Sequence, residues 1–91
     1  MTTLREEGDV NLYIVYLRGD GILLSRQRYE SWQQIQDEVA DYMASLGPWS
    51  PEETIEYLED EHPGLDPSAA TQVRALLASA ESIVRLRFKQ E

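Results

Sequence analysis

The 91-residue chain contains no cysteine, one histidine and one phenylalanine. Without cysteine there are no disulfides, no thiolate metal sites and no thiol nucleophile. A single histidine leaves little material for a metal centre or for acid–base catalysis. Lysine and arginine are absent over the long interval from Tyr29 to Val73, which holds eleven acids. No apolar run is long enough to cross a bilayer; the longest is Leu12 to Leu17. The first residues, MTTLREEGD, have no apolar segment of the signal-peptide kind, so a soluble cytoplasmic protein is expected.

The net charge of −9 disfavours unaided attraction to nucleic-acid backbones and anionic membranes and favours basic partners. An apolar fraction of 42% is enough for a packed core, which argues against wholesale disorder. The length suits one domain. The polar stretch 1–9 reads as a flexible tail, and 10–91 as a single α+β domain.

Asn11 to Tyr29 carries the strongest local signal. Two apolar runs flank Gly19-Asp20-Gly21, as in a β-hairpin over 10–28. Its first strand alternates Leu12, Ile14 and Tyr16 with Tyr13, Val15 and Leu17. Both faces are therefore apolar, so the strand is either central and covered twice or meets a partner on its second face. Three registers compete: an Asp20-Gly21 turn, a Gly19-Asp20 turn, and a three-residue loop that swaps the faces.

Three helices are predicted. The first, 31–46, takes Ser31 and Gln34 as a capping box, repeats apolar residues from Trp32 to Leu46 at three-four spacing, and stops at Gly47-Pro48. The second, 51–61, opens on Ser50-Pro51-Glu52-Glu53 and ends before Pro63-Gly64. The third, 67–81, opens on Asp66-Pro67. In the stretch 82–89, Val84, Leu86 and Phe88 alternate with Arg85, Arg87 and Lys89, which favours a strand that completes a three-stranded sheet, although a continued helix fits the residues too. The expected order is β-β-α-α-α-β, with the helices on one face of a three-stranded antiparallel sheet.

Asp37, Asp41, Glu52, Glu53, Glu56, Glu59, Asp60 and Glu61 form the densest charge feature. A solvated helix face with acidic caps is the commoner explanation of a charge run. The lack of compensating lysine or arginine favours an anionic docking surface for a basic protein partner, because ordinary helix faces mix signs. Inhibitors that imitate nucleic-acid charge, antitoxins and anti-defence proteins among them, share this size and charge, an argument by class alone.

Tyr13, Val15, Leu17, Arg26, Arg28, Arg85 and Arg87 outline a sheet surface. It suits core packing, a homodimer or accessory-subunit interface, or a third use, stacking single-stranded nucleic acid with help from Lys89. Acidic balance makes nucleic acid the weakest of these. Trp49 reads as a core lid or, if exposed, a partner anchor.

Glu59-x-x-His62 has the spacing of a helical ligand pair, but one histidine beside Pro63 does not make a metal site, and His62 is expected in an exposed loop. Arg18-Gly19-Asp20 spells an integrin-binding tripeptide whose residue types the turn already requires. No nucleophile signature or phosphate loop is present, so a non-enzymatic binding module without cofactor or metal is expected.

Overall fold

The computed structural model describes residues 11–19 and 21–89; the expected tail 1–9 lies outside them. Among the described residues the chain forms β1 (Leu12–Leu17), β2 (Ile22–Ser25), α1 (Trp32–Glu38), β3 (Tyr42–Trp49), α2 (Pro51–Glu61), α3 (Ala69–Ala78) and β4 (Ile83–Arg85). The class is α+β, as expected, but the sheet has four strands in the order β3-β1-β2-β4, and every neighbouring pair is antiparallel.

The hairpin takes the three-residue-loop register. Tyr16 pairs with Ile22 and Ile14 with Leu24, and the Leu17 N–H donates to the Gly21 carbonyl at 2.8 Å. Gly19 sits at φ +85, where a side chain is strained. Leu12, Ile14 and Tyr16 then share a face with Ile22 and Leu24.

The main correction falls on the first helix. It ends at Glu38 rather than 46, and the residues from Tyr42 form β3. Val39 is extended, and Asp41 turns the chain at φ 63, a conformation that Asp tolerates better than most residues. The returning segment pairs along the free edge of β1, with Val15 opposite Ser45 and Ile14 opposite Leu46. A non-local ladder thus prevails over a local helical pattern. Gly47-Pro48 is accordingly no helix stop. Gly47 lies in β3 at φ +118, and a Cβ there would come within 2.6 Å of the Leu12 carbonyl oxygen, so glycine is what lets β3 close on β1.

The second helix matches its expected bounds. Ser50 Oγ accepts from the Glu53 N–H at 3.1 Å and Glu53 Oε1 accepts from the Ser50 N–H at 2.9 Å, a complete capping box with Pro51 behind it.

The third helix is shorter than 67–81. Ser68, not Asp66, caps it, accepting from the Thr71 N–H at 3.2 Å. Asp66 and Pro67 are engaged elsewhere: the Asp66 N–H donates to the Arg87 carbonyl, and the Pro67 carbonyl accepts from Gln72 Nε2. The C-terminal stretch is a strand, but only over three residues, Ile83–Arg85, paired with β2. Beyond it the Lys89 N–H donates to the Gly64 carbonyl and Phe88 bridges to Leu65, so the chain leaves the sheet to run beside 64–66.

Leu12, Ile14, Ile22 and Leu24 pack with Leu58, Leu65, Val73, Leu76 and Leu86, so α2 and α3 cover this face of the sheet. The expectation that helices cover one face alone is corrected by α1. Val15 is 0% exposed and Ile35 of α1 is 1% exposed, although neither belongs to the first core. Tyr29 completes this second layer: its ring meets Tyr13 edge-on at 5.0 Å, and its hydroxyl lies 3.0 Å from the buried Ser25 Oγ.

Candidate functional site

The capping box fixes the start of α2 and therefore the phase of its faces. Glu53, Glu56, Tyr57 and Asp60 fall at three-four spacing on one face. With Glu59 and Trp49 they line a shallow groove of about 740 Å³. Trp49 comes from the end of β3, opposite Leu12, and is half-buried. Its indole meets the Tyr57 ring edge-on, with centroids 5.1 Å apart. The groove thus has an aromatic wall and four carboxylates, and among the described residues neither lysine nor arginine lines it.

The wall is tied to the sheet from behind. The Tyr57 hydroxyl lies 2.9 Å from the Tyr16 hydroxyl of β1, which lies 3.0 Å from His62 Nε2. Burial, then the Tyr57 hydrogen bond and the nearby Tyr57 and Glu61 charges, hold the Tyr16 phenol well above the ordinary tyrosine range. His62 is the C-cap residue of α2, half-buried, with Phe88 edge-on at 6.1 Å. It is not the exposed loop residue that its neighbours suggested. Tyr16, Tyr57 and His62 were not singled out together in the sequence, where no local spacing links them.

The remaining acids are exposed but do not form one surface. Glu52 and Glu61 sit on α2 outside the groove lining. Asp37 lies on α1, and Asp41 lies in the turn that follows it, with its carbonyl accepting from the Arg18 N–H. Since α1 and α2 cover opposite faces of the sheet, the acidic surface expected across both helices divides in two.

The sheet cations are dispersed as well. Arg26 donates from Nη1 to the Leu77 carbonyl at 3.1 Å and from Nη2 to the Ser79 carbonyl at 2.5 Å, which caps the C-terminal end of α3. Arg85 is exposed on the second face, opposite Leu23, with its guanidinium lying over Gly21. The Arg87 backbone is held by Gln72 at both its N–H and its carbonyl. Arg28 is exposed near Glu30 and Asp37. Val15 is buried, while Tyr13 and Leu17 are partly covered within the same chain.

Among the described residues no group of three His, Cys, Asp or Glu could hold a metal ion, and no helix is long and apolar enough to cross a membrane. No protein-family model matches the chain, and no curated protein or solved structure is significantly similar to it.

Proposed function

We propose that the protein is a non-enzymatic binding module that docks a lysine- or arginine-rich segment of a partner protein in the α2 groove. One observation carries the reading: Glu53, Glu56, Glu59 and Asp60 stand beside the Trp49–Tyr57 pair with no cation among the described lining residues. Carboxylates of one sign attract a basic partner at long range and speed its encounter. Aromatic faces next to them suit a guanidinium or ammonium group at short range. Such a surface resembles the charge of a nucleic acid, which fits an inhibitor or antitoxin acting on a protein that handles nucleic acid.

The test uses Glu56→Lys, Glu59→Lys and Asp60→Lys together, and leaves Glu53 in place because it caps α2. Binding to an arginine-rich peptide is measured by stopped-flow association at low and high salt. The wild type is expected to associate faster than the triple variant by about an order of magnitude at low salt, and the gap is expected to shrink as salt screens it. Equal rates for the two proteins would refute the proposal.

A further inference from the structure

The two edges of the sheet differ. β4 is three residues long and carries Arg85, the short, charged form that edge strands usually take to avoid self-pairing. β3 is eight residues long, Tyr42–Trp49, and carries no charge. Pro48 and the irregular register near Leu12 interrupt its far end, and a second irregularity, between Tyr16 and Leu17, interrupts its start opposite Ala44 and Tyr42. Among the described residues Ala44 to Leu46, which pair in regular register with β1, leave an uncharged outer edge, and Met43 beside them is 57% exposed.

A second apolar feature adjoins this edge. Trp32, at the start of α1, is 55% exposed. Together with Met43 it lines a groove of about 490 Å³ whose other walls include Tyr13, Tyr29, Ile35 and Tyr42. Trp32 and Met43 are the two most exposed large apolar side chains among the described residues, and they share one site.

From these features we infer that the β3 edge and the α1 groove form a two-fold interface between two copies of this chain. Charge selects a second copy as the occupant. Glu30 lines this groove, and the depression beside it is lined by Arg28 together with Glu30 and Asp37. A rim with both signs complements itself under two-fold rotation, so that Arg28 of one copy meets the acids of the other. The α2 groove, acidic throughout, has no such self-complementarity. An uncharged strand also lets two chains of net charge −9 pair without like charges opposed along the ladder. Antiparallel pairing near Ala44, which is small and exposed, joins the two sheets into one and lets each copy's Trp32 and Met43 cover the other's groove.

The inference is independent of basic-partner docking, which uses the opposite face, and salt distinguishes the two. Salt weakens the docking of a basic segment, whereas in this dimer it screens the repulsion between two copies of net charge −9, which outweighs the Arg28–acid attraction at the rim. Sedimentation velocity from about 1 to 500 µM, at about 50 and 500 mM salt, is expected to show a species of twice the 10.5 kDa chain mass that is favoured at the higher salt. Trp32→Glu and Met43→Lys are each expected to weaken dimerisation roughly a hundredfold while the far-ultraviolet circular dichroism stays unchanged. Both positions are exposed, and either variant alone carries the test if the other misfolds. Amide exchange within 42–46 is expected to slow with concentration in the wild type only. A monomer at 500 µM and high salt, or a dimer indifferent to both substitutions, would overturn the inference.

Discussion

Gln72 offers the sharpest test of how the C-terminal segment is held. It is 6% exposed and uses its amide fully. Oε1 accepts from the Arg87 N–H at 2.9 Å, and Nε2 donates to the Arg87 carbonyl at 2.9 Å and to the Pro67 carbonyl at 2.7 Å. Gln72→Ala deprives the Arg87 N–H and the Pro67 carbonyl of this partner, while the Arg87 carbonyl keeps the Asp66 N–H at 3.1 Å. Two orphaned groups cost about 1–3 kcal/mol each when dry, and Arg87 is exposed enough for water to bring its share to the low end. With the lost methylene packing, a destabilisation of about 3 kcal/mol is expected, or on the order of 15 °C in Tm for a domain this small. Urea denaturation followed by circular dichroism measures it. Gln72→Glu adds a sign. It keeps the acceptor but sets a carboxylate against two carbonyls, which raises its folded pKa. The stability of that variant is then present below the ordinary glutamate pKa of about 4.3 and lost as pH rises. A Gln72→Ala loss under about 0.5 kcal/mol, or a Gln72→Glu protein as stable as wild type at pH 7, would refute the reasoning.

Two further outcomes are expected. Val15→Glu buries an unpaired carboxylate in a site with no exposure and is expected to abolish the cooperative unfolding transition at neutral pH; a variant that melts like wild type contradicts the assigned second layer. Tyr16 holds its proton more tightly in the fold than in the unfolded chain, so its contribution is fully present below the ordinary tyrosine pKa of about 10 and is lost as pH rises above it. The urea midpoint is expected to fall between about pH 10 and 11, and Tyr16→Phe is expected to flatten that fall; an unchanged alkaline slope would count against the assignment.

How much of this was legible in the sequence depended on whether each signal was local. The α2 helix was read with correct bounds because Ser50, Pro51 and Glu53 carry its whole start signal within four residues. The first helix was overextended because Trp32, Ile35, Val39, Tyr42 and Leu46 keep a helical period straight across the turn at Asp41. What decides those residues is the free edge of β1, which no local window contains. The two-sided apolarity of β1 was legible, and of the two explanations it allowed, a central strand covered twice is the one found. In the candidate site, the carboxylates and Trp49 were named from composition and position. The Tyr16–Tyr57–His62 chain was not, because its bonds join residues 41 and 46 positions apart.

The division of the charge follows from the same topology. Had 31–46 stayed helical, its acids would lie with those of α2 on one side of the sheet, in a single broad anionic face. Inserting β3 sends α1 to the other side and takes Asp37 with it. What remains on α2 is narrower and better defined: four carboxylates beside an indole and a phenol whose position is fixed by a partly buried hydrogen bond to β1. The second face, once covered by α1 and Tyr29, no longer needs a partner to hide Val15. The unanswered surface moves from that face to its edge, where β3, Trp32 and Met43 stand together. A dimer formed there leaves both α2 grooves open on the opposite face, so self-association and the capture of a basic segment do not compete for the same residues.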